Sequence, residues 1–205
     1  MQVKLVQQTQ NSIETIATIA SICYDSNPKD PLKLVQHLYK SGHHSVFEHI
    51  YFTFKIEGIS RACSHQLVRH RMCSFTQRSQ RYCSEDGFGV VTPPFISDRD
   101  VAYEDYHEGI ANIRQIYANL SKYAPNEDAR YILPNACHTD LYLSCNLREL
   151  IHICNERLCS RAQWEIRELV QKMVDLVDPT LKFMLVPKCK SERIICNTPC
   201  NKKEK

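Results

Sequence analysis

Glycine is scarce. Only Gly42, Gly58, Gly87, Gly89 and Gly109 occur in 205 residues, so neither a G-x-G-x-x-G fingerprint nor a G-x-x-x-x-G-K-[ST] loop can be written anywhere in the chain. A nucleotide's phosphates would have to be held by side chains, arginine above all, rather than by a glycine-rich turn at a helix N-terminus. A large charge of one sign is missing too. The 26 Lys+Arg face 23 Asp+Glu, a formal +3, which argues against a non-specific nucleic-acid binder and confines any positive site to a local patch. No apolar run approaches the roughly 18–20 residues of a membrane-spanning helix. The opening Met1-Gln2-Val3-Lys4-Leu5 lacks the pattern of a secretory signal, so a cytoplasmic protein is expected. With 43% hydrophobic residues there is ample material for a core.

Cysteine, by contrast, is abundant. Eleven is an odd count in a long chain, and Cys23, Cys63, Cys73, Cys83, Cys137, Cys145, Cys154 and Cys159 stand in segments that read as regular structure, where a reduced thiol acts as a small apolar residue. A cysteine-rich metal protein is the competing reading. Against it, Cys196 and Cys200 form no C-x-x-C pair and have no histidine near them, so no metal is expected.

Asn11-Ser12-Ile13-Glu14 has the form of a capping box, with Ile13, Ile16, Ala17, Ala20, Cys23 and Tyr24 at helical spacing behind it, which predicts a helix over 12–24. Asp30-Pro31 opens a second helix that Gly42 stops. Ile50, Phe52, Phe54 and Ile56 alternate with Tyr51, Thr53, Lys55 and Glu57, the pattern of a half-buried strand. Ser60 caps a helix to about 71, residues 73–84 read as an exposed loop, and 89–92 as a short strand. A long helix from about 99 has Tyr106, Ile110, Ile113, Tyr117 and Leu120 as its buried stripe. Residues 128–133 form a helical turn stopped by Pro134, and 137–145 a strand. Asn146-Leu147-Arg148-Glu149 is a second capping box, opening a helix lined by Leu150, Ile151, Cys154 and Leu158. A last helix at 162–177 ends at Asp178-Pro179. Helices outnumber strands, the two are not regularly interleaved, and no linker divides the chain. The fold class expected is therefore α+β, one compact domain over 1–186 with a small mixed or antiparallel sheet, followed by a flexible Cys- and Lys-containing tail, 187–205. Its expected radius of gyration, about 17 Å, is small for a protein enclosing several ligands, which favours an oligomer with sites between subunits.

Between residues 58 and 84 there is no Asp, Glu or Lys, yet Arg61, Arg69, Arg71, Arg78 and Arg81 fall there with His65 and His70. A solvated face mixes signs and uses Lys as freely as Arg; a run of Arg alone suits planar, bidentate binding of phosphate or carboxylate. Two other readings stand beside that one. The arginines can pair with acids from elsewhere in the chain, or they can serve a non-catalytic RNA- or nucleotide-binding protein, with Phe75 and Tyr82 for stacking.

Within this window stands Arg69-His70-Arg71, then seven residues, then Ser79-Gln80-Arg81-Tyr82. That pattern resembles the signature of the flavin-dependent thymidylate synthases. Three further stretches resemble the same family in the same order: Gly42-His43-His44-Ser45-Val46-Phe47-Glu48-His49, Ala129-Arg130-Tyr131-Ile132-Leu133-Pro134, and Asn155-Glu156-Arg157 with Ala162-Gln163-Trp164-Glu165-Ile166. The resemblance implies reductive methylation of deoxyuridine monophosphate (dUMP) to thymidylate, with 5,10-methylenetetrahydrofolate giving the carbon, NADPH the reducing equivalents and FAD carrying the hydride. It also implies a homotetramer with sites at subunit junctions; from the composition, neither a membrane nor nucleic acid is expected as a partner.

Carried over residue by residue, the resemblance gives Arg69, His70 and Arg71 to FAD, with Ser45, Gln77, Asn146, Leu147, Arg148 and His152 as further flavin positions. Gln66, Leu67, Val68 and Arg69 begin the nucleotide site, and Gln77, Arg78, Ser79, Gln80 and Arg81 continue it. Arg81 and Arg130 suit the phosphate, and Ser79 the reacting edge of uracil. Arg157 is the expected catalytic residue, because a guanidinium beside the ring favours loss of its N–H proton. The chain departs from the family pattern at Thr76, Gln77, Val46, His152 and Arg161. His152 has a packing alternative and Asn146 a helix-capping one.

Overall fold

The computed structural model describes residues 1–23, 25, 28–192, 194–197 and 200. Its four strands, β1 (Gln2–Gln8), β2 (Tyr51–Ser60), β3 (Ser74–Gln77) and β4 (His138–Asn146), form one antiparallel sheet in the order β1-β2-β4-β3. The helices are α1 (Ser12–Ser21), α2 (Pro31–Ser41), α3 (Arg61–Leu67), α4 (Pro94–Ser97), α5 (Asp100–Leu120), α6 (Asn126–Ala129), α7 (Leu147–Arg157) and α8 (Trp164–Leu176). The α+β class expected from the sequence is the one found.

Packing divides the residues between two compact units. The first comprises Met1–Gln2, Ile56–Leu67 and Thr76–Leu141, the second Val3–Lys55, Val68–Phe75 and Tyr142–Lys205. The chain alternates between them, so no single cut in the sequence separates them and no linker composition marks a boundary.

In the second unit the alternation of β2 does what its period requires: Ile50, Phe52 and Phe54 are fully buried while Tyr51 is exposed. α1 packs on α2 and on the 3-10 turn Ser45–His49, and α7 packs on that turn and on α8. Each buried aliphatic or aromatic side chain here, such as Ile16, Phe47, Leu147 and Leu150, contributes about 1.5–3 kcal/mol of burial. α2 begins where Asp30 accepts the Lys33 N–H at 3.1 Å and ends on Gly42 at φ 82, the left-handed cap that glycine takes without strain. β4 runs into α7 with no intervening residue. There Asn146, still extended, accepts the Glu149 N–H on Oδ1 at 2.9 Å.

In the first unit β2 likewise runs straight into α3, with Ser60 Oγ accepting the Cys63 N–H at 2.9 Å. Ile110 of α5 packs with Phe88 and Cys137, flanked by Tyr106, Ile113 and Leu133. The buried hydroxyl of Tyr117 accepts the Glu85 N–H at 3.0 Å. At Gly89 a Cβ would sit 2.4 Å from His138 Nδ1, so only glycine lets that backbone lie against the imidazole.

Several expectations need correction. Asn11 makes no side-chain cap and sits at φ 47, a left-handed backbone rather than the extended one a capping residue takes. α1 stops at Ser21, and Tyr24 falls outside the described residues. The helix expected to reach 71 ends at Leu67, since His70 turns inward to a buried position instead of continuing the helix face. Residues 74–77 are an edge strand rather than loop, paired only with β4. β1, absent from the sequence reading, is the other edge strand: Gln2, Lys4 and Val6 are exposed and Val3 and Leu5 half-buried, an alternation too short to stand out. The strand expected at 89–92 reduces to one bridge between Val90 and Cys137. Leu120, expected in the buried stripe of α5, is exposed.

Candidate active site

A cavity of about 570 Å³ lies in the second unit. α7 and its N-cap supply much of the lining, Asn146 from the cap and Arg148, His152 and Asn155 from the helix; Tyr39, His44 and Met72 come from α2, the loop after it and the segment behind the Arg-His-Arg triplet. Arg148, His152 and Asn155 recur at i, i+4 and i+7, one helical face, on a helix otherwise buried through Leu150, Ile153 and Cys154. Arg148 is ion-paired with Glu48. Asn155 donates through Nδ2 to Ile151 O at 2.8 Å, while its buried Oδ1 has no hydrogen-bond partner among the described residues.

His70 and Arg157 meet beside this cavity. Arg157 donates its Nε–H to His70 Nε2 at 3.0 Å, His70 Nδ1 stands 3.6 Å from Glu149 Oε1, and the imidazole lies edge-on to His152 at 5.6 Å between centroids. Burial, then the positive Arg157, then His152 pull the His70 pKa down to about 4, so the ring is neutral near pH 7 and its Nε2 is the acceptor. Burial raises the Glu149 carboxyl. The donor atoms of His70, Glu149 and His152 lie within 4.8 Å of one another, a set that could hold a cation. The guanidinium bonded to His70 sets a positive charge against that use.

A second cavity, of about 360 Å³, lies in the first unit and is lined by Arg61, His65, Gln80 and Arg130, among others. Arg61 donates from Nη2 to Arg78 O at 3.1 Å; its buried Nε has no hydrogen-bond partner among the described residues, and burial lowers the arginine's pKa. Arg130 donates from Nε to Glu127 O at 3.1 Å. Two other arginines are paired with acids. Arg78 Nε is 3.3 Å from the buried Glu85, which raises the arginine pKa, and Arg81 Nε is 2.6 Å from Glu127. For those two the ion-pair alternative holds alongside any ligand role. Gln77 donates its amide N–H groups to Ser64 Oγ and Thr139 Oγ1 at 3.0 and 3.1 Å, and Ser79 Oγ accepts the Arg81 N–H at 3.2 Å.

The structure therefore gathers the expected Asn146, Arg148 and His152 at one cavity, with His70 and Arg157 beside them, and Gln80 with Arg130 at the other. Leu67 and Leu147 are buried core residues; Ser45, Val68, Arg69 and Arg71 are exposed and line neither cavity, and nor do the half-buried Gln66, Gln77 and Ser79. Sequence reasoning missed Asn155 and Arg61 as site residues. The polar stripe on α7 was the available signal for Asn155. Arg61 stood in view in the acid-free window. All eleven cysteines are free, and burial pushes the Cys137 thiol up to about 11 and raises that of Cys154 further, so these are poor nucleophiles.

The sequence profile of the family described as "Thymidylate synthase complementing protein" matches residues 4–181. The chain is 41% identical over 190 residues to a flavin-dependent thymidylate synthase of Geobacter sulfurreducens, covering 86% of this chain and 82% of that one. It is 39% identical over 211 residues to one of Pyrococcus furiosus, covering 92% and 86%. The backbone is similar to that of thymidylate synthase X from Helicobacter pylori, solved with FAD and dUMP, at a TM-score of 0.73 over 90% of this chain and 97% of that one; at 22% identity this likeness bears on fold alone. The class is thus that of the thymidylate synthase complementing proteins. The chain belongs to the flavin-dependent thymidylate synthases.

Proposed function

We propose that this chain converts dUMP to thymidylate, taking the carbon from 5,10-methylenetetrahydrofolate and reducing equivalents from NADPH, with FAD as resident cofactor. The observation that carries this reading is the 3.0 Å contact of Arg157 with His70, which joins the centre of the Arg-His-Arg triplet to the late-helix arginine. The residues at the second unit's cavity fit a flavin. Asn155 offers a buried acceptor without a partner among the described residues, Arg148 and His152 offer polar contacts, and Met72 and Ile151 offer apolar surface. When bound, FAD supplies hydride transfer to the transferred carbon.

The chain's own residues bind, orient and polarise. Neutral His70 accepts from Arg157 and so holds the guanidinium in one orientation. Set beside the uracil ring, that fixed charge favours loss of the ring N–H proton and pushes electron density toward the carbon that attacks the methylene. The phosphate falls to Arg81 and Arg130, Gln80 continues the nucleotide site, and Ser79 takes the reacting edge of the ring. In a homotetramer with sites at subunit junctions these groups need not come from one chain. We place the reaction in the cytoplasm; among the described residues no helix is long and apolar enough to cross a membrane.

The test is a visible absorption spectrum of purified, desalted protein after incubation with FAD, followed anaerobically on adding NADPH with and without dUMP, then a thymidylate assay. Retained flavin, bleached faster with dUMP, and product that requires FAD are expected. Failure to retain flavin under every ligand condition overturns the proposal.

A further inference from the structure

The family match ends at residue 181, yet the chain beyond it returns to the second unit's cavity. A turn at Lys188–Lys190 packs on α7. Lys188 is ion-paired there with Glu156, the neighbour of Arg157. Further along, Ser191 Oγ shares a hydrogen bond with the Tyr39 hydroxyl at 3.2 Å, and Glu192 takes Lys40 Nζ at 2.8 Å. Consecutive residues at the end of α2 thus grip consecutive residues of this segment. Its two ends are pinned to α7 and α2, both of which line the cavity, and Ser191 and Ile194 add to that lining themselves.

The anchors differ in kind. Tyr39 is buried, its ring stacked on His44 at 5.5 Å and edge-on to Phe183 at 5.8 Å, so its hydroxyl is a fixed point. The Lys40–Glu192 pair is exposed at 59% and 62%, and Lys188–Glu156 at 40% and 38%. Ion pairs so open to water contribute little and weaken with salt. A segment held in this way can lift without disturbing the core, whereas the cavity behind it is built from helix.

We propose that residues 188–192 are a strap across the cavity mouth that sets how long the bound ligand stays, an inference that rests on the cavity's taking FAD. Opening precedes release, and closure by Ser191 shields the ligand from water. A change at the Lys40–Glu192 end of the strap alters the off-rate and touches none of the groups around Arg157.

The experiment follows FAD release by fluorescence from three full-length variants, Lys40→Glu, Glu192→Lys and the double exchange, and from a chain stopped after Pro187. The truncation should speed release about tenfold, and each single reversal by a few-fold, since the pair it breaks is open to water. The double exchange should return the rate toward that of the parent, and high salt should speed release from the parent but not from the truncated chain. Should the truncated chain fail to fold, the charge exchange still decides. Flavin that is retained and released at one rate by all of them overturns the strap alone. A parent chain that retains no flavin overturns the reading of the cavity and the strap's role with it.

Discussion

Arg157 and His70 lie 3.0 Å apart, Nε–H to Nε2, and that bond fixes the state of both partners. A protonated imidazole has no lone pair to accept the bond, so the arginine and the neutral ring require each other.

Replacing Arg157 with Ala should lower thymidylate formation by about 10²–10³-fold, the usual cost of losing one preorganised electrostatic group, while flavin is retained. Because Arg157 is one cause of the depressed His70 pKa, the same change should raise that pKa from about 4 toward its ordinary range. Imidazole NMR titration of the parent and variant reads the shift. Normal turnover in the variant would remove Arg157 from the chemistry.

Stability should fall on acidification in a window set by His70. The unfolded chain takes up this proton near the ordinary 6.5, but the folded chain does so only near 4. Between those values the unfolded state binds more protons, so stability declines as pH drops from about 6.5 to about 4, by up to ~3 kcal/mol. Glu149, whose folded carboxyl is raised, offsets part of this. Urea midpoints against pH should show a shallower decline for His70→Asn; identical curves would show that another group governs the window.

Asn146 caps α7 through Oδ1 and also lines the larger cavity. Asn146→Ala should cost about 1 kcal/mol by urea denaturation, and Asn146→Asp should restore most of it, since Asp caps equally well. If flavin affinity recovers in the Asp variant as well, capping accounts for the residue. If stability alone recovers, Asn146 acts on the ligand too.

Arg81 separates stability from binding. Its pair with Glu127 is 56% and 45% exposed, so Arg81→Ala should change stability by less than about 1 kcal/mol. As a phosphate ligand its loss should weaken dUMP binding by about tenfold or more, leaving deoxyuridine, which has no phosphate, unaffected. Calorimetric titration of both ligands tests this, and equal loss for both would deny Arg81 the phosphate.

Local patterns made much of this legible. The Phe52-Phe54-Ile56 alternation, the Asp30-Pro31 and Gly42 signals and the Asn146–Glu149 box each depend on residues within a few positions of one another, and each element formed where those signals stand. What escaped depends on distant partners. β1 and β3 are short edge strands whose alternate residues are only half-buried, so pairing with β2 and β4 defines them more than a hydrophobic period does. The inward turn at His70 ends α3 because burial against Glu149, His152 and Arg157 wins over helix continuation. Motif order linked Arg157 to the triplet, but only the folded chain supplies the bond between them.

The two inner strands pass into α3 and α7 without a single connecting residue. Substitutions at these junctions can be absorbed one side chain at a time, but a change of length cannot. One inserted residue turns the following helix by about 100° and shifts it ~1.5 Å along its axis, swinging Arg61 or His152 and Arg157 out of place together. Over evolutionary time this chain can drift in composition at both junctions while its length there stays frozen, and variation in length is left to connections such as that between α5 and α6.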